Sequence, residues 1–280
     1  MPEFFEVKRI RQYLTDHQLI GQSLKDLTWP NKGDRMLKTH TSDELQALLI
    51  GQQLTAITTK AKYTFFQFGP HTLVCHYRFT GIPHIKEAPY TTELYSIFSL
   101  PILSKNPAHI RLTLSFSDAT LEYVDTRCLS AMSCFPNLLP SQTPPFIALA
   151  DDLASFTPLS YDAFMAQFNS RRQAIKDVLL DQSIAPSGIG NYLACEILVR
   201  AKLWAGLRVC DLTADTYSAL ISAIYDVYQL GNQHVDYDWF QVFNRSHCQR
   251  CQCPVQRTRH RKSAQTTHYC PRCQPHPLAA

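Results

Sequence analysis

The chain has 280 residues, which is enough for two domains with separate hydrophobic cores. Its hydrophobic content of 45% and its nine glycines are typical of a globular protein without low-complexity tracts, and no apolar run is long enough to cross a bilayer. The net charge of +4 is unevenly distributed. Residues 239–280 hold seven of the 27 Lys and Arg and no acid, which leaves 20 basic and 23 acidic residues elsewhere.

The first half of the chain predicts one helix followed by strands. From Glu3 to Ile20, apolar residues recur at three- and four-residue steps, which indicates an amphipathic helix that begins almost at the first residue. Five runs have the composition of strands: Leu54–Thr59, Tyr63–Phe68, Thr72–Tyr77, Ile110–Phe116 and Thr120–Val124. Residues 1–135 are therefore expected to form a β-sandwich or a β-barrel.

Prolines then interrupt the pattern, and we assign residues 136–148 to a linker. Beyond it the hydrophobic period is helical, with helices predicted at Tyr161–Phe168, Arg171–Asp181, Asn191–Ala201 and Ala214–Leu230. Gly231 is in a C-cap position for the last of them. We assign residues 149–237 to a helical domain and residues 238–276 to a separate C-terminal module.

The C-terminal module carries the spacing of a metal site. Cys248-x2-Cys251 is followed, after eighteen residues, by Cys270-x2-Cys273. Two such pairs complete a tetrahedral four-cysteine zinc site, and because no position stays open for water we interpret it as one structural Zn²⁺ per chain. The surrounding basic residues indicate contact with nucleic-acid phosphates. The alternative is a zinc site that only stabilises the fold and has a solvated charged face.

Residues 188–191, Gly-Ile-Gly-Asn, open a predicted helix. Free backbone N–H groups and the positive end of the helix dipole at such a point suit a phosphate. An ordinary helix start with Asn191 as the N-cap explains the same pattern, and the local sequence does not decide between the two.

Taken together, four features resemble the formamidopyrimidine-DNA glycosylase / endonuclease VIII family: Met1-Pro2-Glu3, Ala61-Lys62-Tyr63, the Gly188–Asn191 helix entry and the terminal four-cysteine finger. They occur in the family's order and cover essentially the whole chain. The resemblance implies an α+β multidomain protein, with an N-terminal β-sandwich that bears one N-terminal helix, a helical helix–two-turn–helix domain and a zinc-finger hairpin. It further implies a monomeric enzyme that binds damaged double-stranded DNA, with the damaged nucleotide flipped out.

The resemblance also assigns catalytic roles. After removal of Met1, Pro2 presents a secondary α-amine that is more often neutral at pH 7 than a lysine, and is the expected nucleophile. Glu3 is expected to transfer protons at the sugar, and Lys62 to contact phosphate and assist proton transfer. The reaction implied is excision of an oxidised base followed by β-elimination. A helix-start carboxylate and a solvated strand lysine are the ordinary alternatives for Glu3 and Lys62.

The remaining matches concern the grip on DNA. The family's loops fill the gap left by the flipped base, and the corresponding positions here are Phe79, Arg127 and Leu129. Arg171, Lys176 and Asn191 match basic and phosphate-binding positions of the helical domain. Gln265 stands where the family has an arginine that clamps phosphates, which predicts weaker δ-elimination than β-elimination unless Arg261 or Lys262 compensates.

Three questions stay open at this point. A DNA-binding descendant without base excision would also have this fold, although it would not need a free amine on Pro2. An RNA-binding zinc-ribbon protein explains the basic tail but not Met1-Pro2-Glu3. The sequence does not decide between oxidised purines and oxidised pyrimidines, or whether single-stranded DNA is accepted.

The scattered cysteines and the absence of signal-peptide features favour a reducing cytoplasm.

Overall fold

The computed structural model describes residues 2–88, 106–156, 172–184, 186–259 and 265–276. The chain divides into two compact units, Met1–Ala148 and Leu149–Ala280. The finer division into a domain at 1–135, a linker at 136–148, a helical domain at 149–237 and a finger at 238–276 stays a prediction. The expected helix Tyr161–Phe168 and the residues Arg171, Arg261 and Lys262 lie outside the described residues.

The first unit is built from two four-stranded antiparallel sheets. Its strands are β1 (Leu24–Thr28), β2 (Leu54–Lys60), β3 (Tyr63–Phe68), β4 (His71–His76), β5 (Gly81–Ile85), β6 (Ile110–Phe116), β7 (Thr120–Asp125) and β8 (Ala131–Phe135). One sheet has the order β1-β6-β7-β5 and the other β2-β3-β4-β8. Apolar side chains of both sheets form one buried cluster, so the predicted α+β fold with an N-terminal β-sandwich is confirmed.

The N-terminal helix α1 (Phe4–Asp16) has the predicted periodicity. Val7, Ile10 and Leu14 are fully buried in the sandwich core, and a fully buried side chain of this size contributes about 1.5–3 kcal/mol. A second helix, α2 (Ser42–Leu49), was not predicted, although Thr41 and Glu44 form a capping box at its start. A short helix, α3 (Pro144–Ile147), ends the unit.

The described part of the second unit contains α4 (Ile175–Leu180), α5 (Asn191–Arg200), α6 (Ala214–Gln233) and a hairpin of β9 (Gln256–Arg259) and β10 (Thr266–Tyr269). The expected stop at Gly231 is wrong, because α6 continues through this buried glycine to Gln233. The helix-propensity cost of one glycine is about 1 kcal/mol, which the continuing backbone hydrogen bonds and packing of a long helix readily offset.

Within the described ranges, every helix is too short or too polar to span a membrane. All ten cysteines are described, and none forms a disulfide.

Candidate functional site

The start of α1 buries two carboxylates. Glu3 is the N-cap residue of the helix, and its backbone N–H donates to Glu6 Oε2 over 2.8 Å. Glu3 and Glu6 are each only 1% exposed, and Pro2 is buried beside them. Glu6 thus satisfies a backbone donor of the first turn, which is the structural role expected of an acid at this point.

Lys62 approaches the same region from the tip of the β2–β3 hairpin. Lys60 pairs with Tyr63 across the strands, so Ala61 and Lys62 form a two-residue turn, and Ala61 adopts a left-handed backbone with φ 54°. Burial lowers the pKa of Lys62, the Glu3 carboxylate raises it, and Arg78 lowers it further. The Lys62 ammonium therefore lies within electrostatic range of Glu3. The structure brings Pro2, Glu3 and Lys62 into one region of the first unit.

Arg78 and His76 lie near Lys62, and the sequence analysis assigned neither of them a role. His76 ends β4, and burial, with Arg78 and Lys62 nearby, lowers the pKa of its imidazole to about 3. The ring is therefore neutral near pH 7. A titratable residue at the end of a strand that leads into the Phe79 loop was the signal that could have found it.

Two loops of the first unit expose apolar side chains. We call residues 78–80 and 126–129 the wedge loops. Phe79 is 46% exposed and Leu129 42% exposed, and the guanidinium of Arg127 lies 4.9 Å from the centroid of the Phe79 ring. The two loops therefore meet at a cation–π contact, and the structure places all three predicted gap-filling side chains in one surface cluster.

In the second unit, the side chain of Gln182 stabilises the loop before α5 through three hydrogen bonds. Its amide Nε2 donates to the carbonyls of Leu180 and Ile189, and its Oε1 accepts from the Gly188 N–H at 2.8 Å. Gly188 has φ +100°, a conformation that favours glycine. Gly190 is the N-cap residue, so interpreting Asn191 as the cap is wrong.

Asn191 and Lys176 connect the helices to the hairpin. The Asn191 amide donates to the Thr266 carbonyl at 2.9 Å and accepts from Lys176 Nζ at 2.7 Å. Lys176 Nζ also donates to Thr267 Oγ1 at 2.7 Å. Lys176 is fully buried, whereas Asn191 is partly exposed. The structure therefore places the lysine beneath the loop that was expected to bind phosphate, and the asparagine at its edge.

The four cysteines of the finger converge. All four Sγ atoms lie within 4.8 Å of one another, and the pairs Cys248–Cys273, Cys251–Cys270 and Cys251–Cys273 are 4.0, 3.4 and 3.5 Å apart. Four thiolates about 2.3 Å from one Zn²⁺ in a tetrahedron are about 3.8 Å apart, so the cluster fits a four-coordinate metal ion. A hydrogen bond from the Cys253 backbone lowers the pKa of Cys251 to about 7, whereas burial raises the pKa of Cys248 and of Cys273. The Cys253 thiol lies outside the cluster.

Buried polar side chains connect the four-cysteine finger to the helices through hydrogen bonds. Glu196 of α5 accepts from the backbone N–H groups of residues 241–243, and Gln274 donates to the Leu203 carbonyl at 2.9 Å. Gln265 precedes β10, and its Oε1 is buried without a hydrogen-bond partner among the described residues. Neither Glu196 nor Gln274 was found from sequence, because their partners are distant along the chain.

Comparison with known proteins shows what this chain is similar to. The sequence pattern of the formamidopyrimidine-DNA glycosylase N-terminal domain matches residues 1–132. The chain is therefore similar to the formamidopyrimidine-DNA glycosylase family, by a pattern match over its first 132 residues and by relatives along nearly its whole length. The formamidopyrimidine-DNA glycosylases of Enterococcus faecalis and Chloroflexus aurantiacus are 26% and 29% identical to it, over 98% of this chain and 97% and 98% of theirs. A Lactococcus lactis formamidopyrimidine-DNA glycosylase structure has a TM-score of 0.81 at 23% identity and covers 98% of this chain and 100% of its own. The region matched by the family includes Pro2, Glu3, Lys62 and both wedge loops.

Proposed function

We propose that this protein is a base-excision-repair enzyme that removes oxidised bases from DNA and cleaves the resulting abasic strand. The observation that carries the proposal is the meeting of Glu3 and Lys62 beside Pro2, because it gives an N-terminal amine a proton donor and a cation at one place. The relatives support the substrate class. The Lactococcus lactis protein has been crystallised with DNA that contains an AP site, FAPY-dG or an oxidised pyrimidine.

The proposed chemistry runs through an imine. After Met1 is removed, the Pro2 nitrogen attacks the sugar C1′, and the glycosidic bond breaks with its electron pair leaving on the base. The Pro2 nitrogen loses its proton as the new bond forms, and the departing base anion takes up one proton. The sugar ring then opens, and Glu3 gives a proton to the ring oxygen. The resulting iminium acidifies the neighbouring sugar carbon. Loss of that proton expels the 3′ phosphate, which is β-elimination and constitutes the AP lyase activity.

The proposed DNA contacts follow the surfaces described above. Phe79, Arg127 and Leu129 would fill the gap opposite the extruded nucleotide, where they offset the loss of stacking. Asn191, at the positive end of the α5 helix dipole, would hold a phosphate. Because Lys176 is buried, we assign it an electrostatic role through Asn191 instead of direct contact. For Arg171, the resemblance is the only support for the proposed phosphate contact. Gln265 would donate one neutral hydrogen bond.

Zinc is the metal we propose for the four-cysteine cluster, where it would stabilise the β9–β10 hairpin and have no catalytic role. We further propose that the protein acts as a monomer on duplex DNA in a bacterial-type cytoplasm. Its support is the bacterial origin of the relatives and the absence of disulfides among the ten cysteines.

Borohydride trapping of the Met1-processed, zinc-loaded protein tests the proposal. The duplexes carry an abasic site, an oxidised purine or an oxidised pyrimidine, and the best-trapped lesion identifies the substrate. A covalent adduct should form with the wild type and be lost in Pro2→Gly and in an N-terminally blocked form. Lys62→Met should slow trapping strongly. Lys60→Met is the matched control, because Lys60 Nζ donates to the Phe146 carbonyl and lies over that ring.

A second function, DNA binding without base excision, is favoured by one observation: Gln265 puts a neutral side chain where the family places a charged clamp. Tight binding to abasic duplex with no adduct on any substrate would support that alternative and reject the enzyme proposal.

A further inference from the structure

One buried carboxylate lies beneath both wedge loops. Asp125 ends β7 and is fully buried. Its Oδ1 accepts from the N–H groups of Arg127 and Cys128, each at 3.0 Å, and its Oδ2 accepts from the N–H groups of Leu129 and Ser130 at 3.0 and 2.9 Å. Every backbone donor of residues 127–130 is therefore directed at this one side chain.

The same carboxylate reaches the other wedge loop. Thr80 Oγ1 donates to Asp125 Oδ1, which ties residues 78–80 to residues 126–129. The Ser130 hydroxyl adds a second connection, since it lies 2.7 Å from Asp125 Oδ2 and 3.0 Å from the Tyr77 carbonyl. Gly81 permits this approach. A Cβ at that position would lie 2.0 Å from Tyr123 Oη and 2.2 Å from Ser130 Oγ.

Both loops contain strained backbone. Arg78 and Cys128, neither of which is glycine, have φ values of 54° and 51°. A left-handed conformation at such residues costs on the order of 1 kcal/mol, and it persists only where surrounding contacts over-determine it. For Cys128 those contacts include its N–H bond to Asp125 Oδ1. Without them, the loops would relax, and their exposed tips would lose their common geometry.

We propose that Asp125 is a positioning residue that joins the two wedge loops, so that Phe79, Arg127 and Leu129 enter duplex DNA as one preorganised unit. The inference rests on the proposed function, because it assigns the wedge to a gap in damaged duplex DNA. It predicts a defect that appears only where a gap must be filled. Single-stranded abasic DNA has no opposite base and does not need the wedge, so the chemistry at Pro2 on that substrate is the internal reference.

Two variants separate the contributions. Asp125→Asn keeps the shape but replaces one acceptor oxygen with an NH2 group, which then faces two or more N–H or O–H donors. Thr80→Val is isosteric and removes the Thr80–Asp125 bond, leaving the Ser130 connection and the four backbone bonds of residues 127–130 intact. Thr55→Val is the matched control, since Thr55 makes one hydroxyl bond to the Gln67 carbonyl in the other sheet.

The experiment measures borohydride trapping rates on duplex and on single-stranded abasic DNA, with melting temperatures recorded to exclude misfolding. We expect Thr80→Val to reduce the duplex rate by about tenfold, which corresponds to about 1.4 kcal/mol, just below the range of about 1.5–3 kcal/mol for hydrogen bonds to charged groups. Asp125→Asn should reduce it further, while single-stranded rates stay within about twofold. Equal losses on both substrates, or no duplex loss in Thr80→Val, would overturn the inference.

A second readout does not depend on chemistry. 2-Aminopurine placed opposite a tetrahydrofuran abasic analogue reports insertion of side chains into the helix by its fluorescence. If the wild type forms no adduct with any DNA, the proposed enzyme function fails. Even then, a fluorescence change that is present in the wild type and Thr55→Val and reduced in Thr80→Val would support the role of Asp125. The same change in all three proteins would overturn it.

Discussion

Replacement of Glu196 by glutamine is the sharpest stability test of the second unit. Glu196 Oε1 accepts from the N–H groups of Val242 and Phe243 at 2.9 and 2.8 Å, and Oε2 accepts from the Gln241 N–H at 2.7 Å and from Arg200 at 2.6 Å. The carboxylate is fully buried, and the Arg200 side chain is 9% exposed. Both oxygens are therefore needed, and neither has access to water as a substitute partner.

The expected magnitude follows from the donors left without an acceptor. In Glu196→Gln one oxygen becomes an amide nitrogen, so two of the four donors lose their acceptor at about 1–3 kcal/mol each. Removing one charge of a buried ion pair gives a similar figure of about 3–5 kcal/mol. We expect a loss of about 4 kcal/mol, and at about 4 °C per kcal/mol for a unit of this size the melting temperature falls by about 15 °C.

Differential scanning calorimetry of the zinc-loaded chain measures this loss, and a chromogenic chelator follows zinc release in parallel. Residues 241–243 lead directly to Cys248, so we also expect faster release of zinc from the variant. Asp211→Asn is the control, because it removes the same charge from an exposed ion pair with Arg208, and water already screens that pair. If Glu196→Gln melts within about 2 °C of this control, the reasoning from buried donors is refuted.

Three further predictions concern the metal, the elimination step and pH. Cys251→Ser should lower zinc below one ion per chain and weaken duplex binding, as measured by elemental analysis and fluorescence anisotropy; stoichiometric zinc in the variant would contradict a four-thiolate site. Gln265→Arg should increase the ratio of δ- to β-elimination product on an abasic duplex, resolved on denaturing gels, and an unchanged ratio would reject the assignment of this position. His76 has a pKa of about 3 in the folded chain against an ordinary value near 6.5, so its neutral form contributes stability that is complete above about pH 6.5 and is lost as the pH falls toward 3. His76→Gln should flatten the melting temperature between pH 6.5 and 4, and a variant with the wild-type pH profile would contradict the shift.

The local elements with strong periodicity were predictable from sequence. The predicted strand Tyr63–Phe68 agrees to the residue, and the predicted Thr72–Tyr77 is displaced by one position from β4. β1 was missed because Lys25 and Asp26 occupy its second and third positions and only two of its five residues are buried. The α2 helix carried a readable signal, the capping box at Thr41, but its eight residues were too few for a strong periodic pattern.

The candidate site was predictable where its residues are close in sequence. The four cysteines form two short motifs, and a metal ion requires the two motifs to meet, so the cluster could be predicted before any fold was known. Glu196 shows the opposite case. Its backbone partners lie 45 to 47 residues away, and a glutamate in a largely apolar helix gives no indication of which backbone donors it will meet. Sequence patterns reveal ligand sets, but not the long-range polar contacts that support them.

The exposed and the buried parts of the wedge are under different physical constraints. Filling a gap in stacked bases requires apolar bulk and a planar cation, a requirement that several side chains satisfy, and Phe79 stands where the family it resembles often has methionine. Asp125 has no such freedom, because a fully buried acceptor of at least five N–H and O–H donors can be replaced only by another group with the same charge, length and geometry. The geometry of the proposed DNA-facing surface is therefore determined more narrowly by a residue that DNA would never contact than by the side chains that would contact it.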